Sequence, residues 1–401
     1  MTLPVLIIGA GLGGVCLAQA LRKNNIPFEL FEQDGRQNFR SQGYRLRINH
    51  YGIDALEASL TPGVFDIFER TCAASAGFGV SLKPDGSVLS AMGRGGPPPF
   101  MGKSYTADRS TFRASLLAGL ENNVHFGKSL DHFVISYDKV TAHFADGHTA
   151  DGCLLVGADG VRSRVRRQYI PKFAGLDTDM RIIYGKTPLT PEFLESTPKE
   201  YHKGMSLITD PENASEPKLM FEAIEFPHAN EVVEPEMPDP YVYWVLTVRR
   251  EAIPYPDDKY WQITSQEAAA VAEKLTESWN PAIRNVITLQ DKSQTSIHSI
   301  LSAIPDMPPW ESSGRVTLIG DAVHVMPPTG AMGANTALRD AADLARRIAE
   351  SGGVDGIIGQ GVRDYEEELR VFAKEAIELS WQGGLKTFGF KPQEEHQRIN
   401  L

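Results

Sequence analysis

The feature that most constrains this chain is a glycine triplet near its start. Gly9, Gly11 and Gly14 follow an apolar run, Pro4 to Ile8, and precede a stretch of helical character, Val15 to Asn24; Phe28 to Phe31 then reads as a second short strand. A strand that turns through G-x-G-x-x-G into a helix and returns as a strand is a βαβ unit. The first glycine permits the tight turn, the second lets a pyrophosphate approach the backbone, and the third lets the helix pack closely on the strand. Gly9, Gly11, Leu12 and Gly14 are therefore candidate phosphate-binding positions. Glu32, 18 residues after Gly14 at the end of the second strand, is placed to hold the adenosine ribose hydroxyls. The same carboxylate repels a 2′-phosphate, so the tightly held dinucleotide is expected to be FAD or NAD rather than NADP. Glycine turns alone also serve ordinary strand-to-helix junctions. Strand, helix and acid together favour the dinucleotide reading.

Two later segments share this strand, turn and helix character. Leu154 to Arg167 is a strand ending at Gly157-Ala158-Asp159-Gly160, then a helix start carrying Ser163, Arg164 and Arg166. Asp159 can accept from backbone amides or a ribose hydroxyl, and the arginines can meet phosphate. Equally, Asp159 can cap the helix above a solvated basic face, and this segment alone leaves both readings open. Arg315 to Ala341 holds an apolar strand (Val316 to Ile319) ending at Gly320-Asp321, a turn rich in Pro and Gly, and a helix beginning near Gly333 to Asn335. A carboxylate at a strand end and a helix N-terminus facing a ligand are parts of a nucleotide site.

The net charge of −11 excludes a nucleic-acid partner, because phosphate neutralisation needs clustered Lys and Arg, and the one basic run, Arg162 to Arg167, is short. Three cysteines, Cys16, Cys72 and Cys153, have no paired or CxxC spacing, which fits a reducing compartment and no bound metal. The apolar start, Leu3 to Leu21, contains four glycines and no preceding basic residue, so a strand and glycine turn explain it better than a signal segment. No run approaches the ~20 apolar residues of a membrane span, so no membrane insertion and a soluble, cytoplasmic protein are expected. No sequence pattern specifies an oligomeric state.

Along the chain, residues 77–103 carry two alternating runs around Pro84-Asp85-Gly86, a hairpin signal, and Gly93 to Pro99 reads as a loop. Ser110 to Leu120 is helical; Val134 to Phe144 alternates around a turn and continues to a buried strand, Cys153 to Val156. From Arg181 to Val248, β-rich segments alternate with acidic, Pro-rich connections, as in an antiparallel sheet that covers something. Gln266 to Trp279 is helical, and Gly361 to Leu379 places Tyr365, Leu369, Phe372, Ala376 and Leu379 on one helical face.

Taken together, Gly9-x-Gly11-x-x-Gly14, Gly157-Ala-Asp159-Gly160-x-x-Ser163-x-Val-Arg166 and Gly320-Asp321-Ala-x-His324, closed by Asn335 and Asp340-Ala341, resemble the single-component FAD-dependent aromatic hydroxylases. These are the class A flavoprotein monooxygenases with the para-hydroxybenzoate hydroxylase fold, and the resemblance covers the full chain. Arg109 in Asp108-Arg109-x-x-Phe112 looks like the family's arginine near the flavin, Trp310 fits, and Gly43 to Asn49 resembles the stretch that passes the flavin. One departure stands out: the family's glycine seven positions after the histidine of the GD segment is Ala331 here, with Gly330 one place earlier. His324 is usual in that segment and is read as structural rather than as a proton shuttle.

The resemblance implies an α/β fold: a Rossmann-type FAD-binding domain of the glutathione reductase-like kind, a β-sheet substrate domain and a C-terminal helix. The expected division is 1–172 (FAD-binding, first part, with the 77–103 hairpin joining the substrate sheet), 173–292 (substrate domain), 293–350 (FAD-binding, second part) and 351–401 (C-terminal helical segment). It also implies a cofactor set of Gly9, Gly11, Leu12, Gly14, Glu32, Arg47, Arg109, Asp159, Asp321, Gly333, Ala334 and Asn335. The helix starting near Gly333 would direct its positive end at the flavin pyrimidine. NADPH or NADH would reduce the flavin transiently, O2 would add to give a flavin hydroperoxide, and that species would oxygenate a small aromatic or polyketide-like substrate, most simply by hydroxylation. No protein nucleophile is required. Arg47, His50 and Tyr243 are the catalytic candidates, and Tyr184, Phe221 and Trp244 join them as pocket candidates by position and type; for each, ordinary packing is the competing reading. Epoxidation, Baeyer-Villiger insertion, or a reductase or oxidase without oxygen insertion remain as alternatives. A related halogenase should carry W-x-W-x-I-P, which is absent, and a nucleotide-binding regulatory protein would bind FAD without turnover.

Overall fold

The computed structural model describes residues 3–35, 44–74, 77–91, 103–202, 204–213, 216–228, 231 and 234–401. The expected Gly93 to Pro99 loop lies outside them, as do Gly43 and parts of the Glu225 to Pro240 connection. The architecture is α/β, as the motifs imply, and is assembled around two large sheets. The first is parallel, in the order β17-β11-β1-β2-β7: β1 (Val5–Ile8), β2 (Phe28–Glu32), β7 (Val124–Phe126), β11 (Leu154–Gly157) and β17 (Val316–Leu318). Its central strands are apolar at every position and buried throughout, because helices and an antiparallel meander pack against it and no residue of these strands faces water. The helices of this half include α1 (Leu12–Lys23), α2 (His50–Ser59), α3 (Pro62–Arg70), α4 (Arg109–Leu117) and α5 (Arg164–Tyr169). A two-stranded ladder of β3 (Arg45–Ile48) and β6 (Tyr105–Asp108), and a three-stranded meander of β8 (Leu130–Ile135), β9 (Val140–Phe144) and β10 (Thr149–Gly152), complete this half.

The second sheet is mixed and mostly antiparallel, ordered β16-β12-β15-β14-β13-β4-β5, with β18 (Arg398–Asn400) added to β12. Its strands are β4 (Phe78–Leu82), β5 (Val88–Ala91), β12 (Ala174–Pro188), β13 (Met205–Ile208), β14 (Lys218–Ile224), β15 (Tyr241–Arg249) and β16 (Ser296–Ala303). Side chains alternate between its two faces. Ile183, Phe221, Trp244, Leu246 and Ile297 form one core with α7 (Ser265–Leu275) and α8 (Pro281–Thr288); the short α6 (Pro191–Ser196) lies against α8. Ile182, Tyr243, Val245 and Ile300 form another on the opposite face with Trp381 and Phe390. The chain then closes through α9 (Asp321–His324), α10 (Met332–Glu350), α11 (Val354–Ile357) and α12 (Gln360–Thr387), and α10 packs on α1, α2 and α12.

Three details differ from the sequence reading. The helix after the glycine turn begins at Leu12, so Gly13 and Gly14 sit inside its first turn, where close packing on neighbouring backbone suits residues without a side chain. The Pro- and Gly-rich turn after Gly320 contains a one-turn helix, α9, too short to show a hydrophobic period. Along α12 the buried arc runs through Tyr365, Leu369, Ala373, Ala376, Ile377, Ser380 and Trp381, whereas Leu379 is 58% exposed. Small residues there let the helix approach its neighbours, so apolar letters alone misplace the face. No described helix is long and apolar enough to cross a membrane, and no cluster of metal-ligating side chains occurs among the described residues.

Candidate active site

The ends of β1, β2, β11 and β17 converge with the N-termini of α1 and α10. Gly9 has φ +107, and a Cβ on it would lie 2.4 Å from the Ala158 carbonyl oxygen; one on Gly14 would lie 2.0 Å from the Gly9 oxygen. Both glycines are therefore required by the protein's own packing. Glu32 is buried: Oε2 accepts from the Ala10 amide at 2.8 Å and Oε1 from the Asp34 amide at 2.9 Å. Arg113 lies beside it, its Nε donating to the Ala10 carbonyl at 2.5 Å and its Nη2 3.8 Å from Glu32.

Asp159 takes the capping role, one of the two readings that its own segment left open. Its Oδ2 accepts from the Arg164 amide at 2.7 Å and the Val165 amide at 3.2 Å, which caps α5, while Oδ1 is buried without a partner among the described residues. Arg166 is not a solvated face: it is fully buried, donating to the carbonyls of Ala322 (2.9 Å) and Val161 (2.7 Å), and burial pushes its guanidinium down to about 10.

Asp321 stands at the start of α9, where the surrounding protein first, and Asp340 with it, push its carboxyl above the usual value against the opposing pull of His324, Arg109 and Arg166. His324 is fully buried, its Nε2 2.5 Å from Asp340 Oδ2, which also accepts from the Gly320 amide at 2.8 Å. This pair fixes the GD turn. Asn335 does the same for the neighbouring strand: Oδ1 accepts from the Asn49 amide at 3.0 Å and Nδ2 donates to the Arg47 carbonyl at 2.9 Å. Gly333 and Ala334 lie in the first turn of α10, and Ala331 before it has φ 55.

The inner face of the mixed sheet faces this convergence. Cross-strand register places Tyr184 and Lys186 (β12), Tyr243 (β15), Glu222 (β14) and His298 (β16) on that side. Tyr44, Tyr184 and Tyr243 are stacked, with centroids 4.9 and 6.2 Å apart and interplanar angles of 19° and 20°; the His298 ring lies 5.9 Å from Tyr184. The Arg109 guanidinium lies 5.3 Å over Tyr44. Asp108 joins the two halves: Oδ1 caps α4 through the Ser110 and Thr111 amides, and Oδ2 meets Lys186 Nζ at 2.6 Å and the Tyr241 hydroxyl at 2.8 Å. Glu222, fully buried, holds Arg45 (Nε at 2.7 Å, with a second contact through Nη2) and Arg47 (3.4 Å). Burial first, and then Arg45, lower the Arg47 pKa.

Known proteins agree with this geometry. The family described as FAD binding domain matches residues 117–380. The dual O-methyltransferase/FAD-dependent monooxygenase elcB of Phaeosphaeria nodorum is 38% identical over 437 residues, covering 98% of this chain and 47% of elcB. The chain thus spans about half the length of the first such relatives, the Cercospora CTB3 proteins included. The FAD-dependent monooxygenase thnD of Trichoderma harzianum is 30% identical over 410 residues, covering 97% of this chain and 95% of thnD. A crystal structure from Photorhabdus luminescens subsp. laumondii TTO1, 27% identical, superimposes with a TM-score of 0.77 over 98% of this chain and 100% of that one. The chain belongs to the FAD-dependent monooxygenase family.

FAD is accordingly the cofactor of this family member, and the glycine loop supplies a direct test of fit. Gly11 has φ −71 and ψ 179, which any residue adopts, and a Cβ there would meet no protein atom closer than the Ala158 oxygen at 4.0 Å. Nothing in the protein itself demands glycine at that position. The free space above it is what a phosphate needs to reach the α1 N-terminus, and the half-free Asp159 carboxylate is a second unfilled acceptor nearby in the fold.

Within this FAD-dependent monooxygenase the sequence candidates separate into groups. The glycine loop with Leu12, Glu32 and Asp159 meets at one end of the parallel sheet; Arg109 and Asp321 lie between it and the tyrosines. Arg47 contributes its carbonyl to Asn335 and its side chain to Glu222. Phe221 and Trp244 do not line this space: they pair with each other in register on the opposite face and pack against α7 and α8, because strand alternation reverses their side chains relative to Tyr243. His50 is exposed with its ring on Tyr51, 4.0 Å between centroids. Trp310 packs under Arg370 at 4.8 Å. Sequence reasoning missed Tyr44, Asp108 as a docking residue, Arg113, Glu222 and His298. Arg113 was within reach, since it follows Arg109 by one helical turn on the same face.

Proposed function

We propose that the chain catalyses NAD(P)H- and O2-dependent insertion of one oxygen atom into a small planar aromatic or polyketide-like substrate, most simply as a hydroxylation. The observation that carries this reading is the cleft in which Arg109, Asp321 and Tyr44, on the cofactor half, meet Tyr184 and Tyr243 of the sheet, with Tyr44 stacked on Tyr184.

Residues Gly9 to Gly14 would hold the pyrophosphate of FAD and Glu32 its adenosine ribose, with Asp321, Arg109 and the start of α10 (Gly333, Ala334, Asn335) around the flavin end. FAD, when bound, supplies the redox chemistry: two electrons taken from NADH or NADPH, and activation of O2. The protein's part is to orient and to exclude water. The tyrosine stack takes the face of a flat ring, Asp108 with Lys186 and Tyr241 locks the sheet over the cleft, and Glu222 keeps Arg45 and Arg47 fixed at its edge. The functional division then follows 1–172 with 293–350 for the cofactor, 173–292 with the 77–91 hairpin for the substrate, and 351–401 as a brace. The three buried free cysteines support a reducing, cytoplasmic location.

The test is anaerobic reduction of the FAD-loaded protein by NADPH and by NADH across a panel of planar phenols, followed by turnover under 18O2. Substrate-accelerated flavin bleaching with one 18O atom in the product is the expected result. Consumption of NAD(P)H with hydrogen peroxide as sole product for every panel member would overturn the oxygen-insertion reading in favour of an oxidase.

A further inference from the structure

The cleft contains one side chain that the function above leaves unused. His298 projects from β16, in register with Ile182 and beside Tyr184, onto the sheet face that carries the tyrosine stack. One ring nitrogen, Nε2, lies 3.0 Å from Ser296 Oγ; the other makes no hydrogen bond among the described residues and is not sealed in the protein. Whichever tautomer the ring takes, Ser296 engages Nε2 and the cleft receives Nδ1. Burial first, then the nearby charges of Arg109 and Arg162, push the imidazole down to about 4. It is therefore neutral at physiological pH, with one N–H and one acceptor nitrogen.

The chemistry around it makes that acceptor distinctive. Arg109 is a donor only, and the hydroxyls of Tyr184 and Tyr243 engage no partner among the described residues. Asp321 is an acceptor too, but it belongs to the cofactor side, at the start of α9. In the tautomer protonated at Nε2, which donates to Ser296 Oγ, the open Nδ1 of His298 is a stronger acceptor than the neutral Tyr184 and Tyr243 hydroxyls beside it.

We propose that His298 is a specificity-determining residue that selects planar aromatics bearing a free ring hydroxyl, accepting that hydroxyl's hydrogen bond while the edge of the Tyr44–Tyr184–Tyr243 stack borders the ring. The inference rests on the monooxygenase reading. No bond to oxygen is broken in this role: the phenol O–H donates, the imidazole stays neutral, and the ring is held in one orientation. An O-methyl ether of the same ring has no proton to give, so binding it leaves the imidazole acceptor buried without a partner.

The experiment uses FAD-loaded protein without NAD(P)H and reads binding from the perturbation of the flavin absorbance. The probes are 2-naphthol and 2-methoxynaphthalene, which differ only in that proton. Wild-type protein is expected to prefer the naphthol by about tenfold or more, a ratio typical of losing one buried hydrogen bond. His298→Leu should bring the two affinities within about threefold by weakening naphthol alone, and His298→Asn, which keeps an acceptor, should restore part of the preference. Wild-type protein that binds both probes equally, or neither, overturns the proposal, as does an unchanged ratio in a His298→Leu protein that retains FAD. Failure of the wild type to take up FAD would overturn the functional reading itself, whereas FAD uptake without phenol preference removes this inference alone.

Discussion

The two walls of the cleft are built on different physical terms. The cofactor wall is backbone: strand ends, helix N-termini and glycines whose positions are set by contacts within a few residues, such as Gly14 on Gly9, or by one carboxylate on an amide, such as Glu32 on Ala10. The wall proposed to face substrate is side chain: Tyr184, Glu222, Tyr243 and His298 come from four strands, and only their register puts them on a common face. A backbone site tolerates almost no change in shape and says little about what else binds. A side-chain site can be rewritten position by position, which is how one scaffold serves many substrates.

The sharpest way to break this contrast is within the glycine loop. Gly14→Ala should be the most damaging substitution, since its Cβ has to displace the Gly9 carbonyl in a close-packed strand-helix junction; a loss of about 3 kcal/mol or more of stability is expected in denaturant unfolding. Gly11→Ala should leave the unfolding midpoint of the FAD-free protein nearly unchanged and instead weaken FAD binding, measured by flavin fluorescence titration. If Gly11→Ala proves as unstable as Gly14→Ala, the space above Gly11 is not reserved for a ligand. Next in size is Glu222→Ala on the other wall. It strips the carboxylate from Arg45 and Arg47 in a buried setting, where breaking such a pair costs about 3–5 kcal/mol, and the loss should show in thermal unfolding. A change under about 1 kcal/mol would mean that water reaches the two arginines and that the wall is softer than its packing suggests.

This contrast also explains what the sequence made legible. The glycine loop, Glu32, Asp159 and the Gly320-Asp321 turn were readable because each is a local pattern with a local cause. Phe221 and Trp244 could not be assigned between packing and pocket, and Glu222 and His298 were overlooked, because a strand buried on both faces shows no alternation: β15 reads Tyr-Val-Tyr-Trp-Val-Leu-Thr-Val with eight buried residues in succession. Nothing in such a run says which residues face the α7 and α8 core and which face the cleft. Helix α2, which opens at His50, was hidden for a related reason: its cap, Asn49, is tied to Asn335 from the far end of the chain.

A smaller effect tests whether the GD turn is an electrostatic clamp. Burial pulls the His324 pKa down, but the adjacent Asp340 carboxylate outweighs it and the net shift is upward from 6.5. A histidine raised in the folded state contributes stability that is fully present below its unfolded value and is lost as pH rises through its folded value. The thermal midpoint should therefore decline as pH is raised from about 6 to about 9, and His324→Gln should flatten that slope over the same window. A slope that survives in the variant would place the titrating group elsewhere.

The least of the expected effects concerns the one departure from the family's pattern. Ala331 stands where a glycine is usual, and it still takes the left-handed backbone, φ 55 and ψ 33, directly after Gly330 at φ 66. A Cβ in that region is crowded by its own carbonyl, so the turn persists because something holds it. Asn335 is the holder: its Nδ2 donates to the Ala331 carbonyl at 2.5 Å as well as to Arg47. Ala331→Gly should relieve the strain and raise stability by about 0.5–1 kcal/mol, after the greater freedom of glycine in the unfolded chain is set against it. Measured by urea unfolding, a gain would show that the cofactor wall carries backbone strain restrained by a single side chain. A loss would show instead that the Ala331 methyl group packs productively, and that at this point the cofactor wall depends on side chains as the substrate wall does.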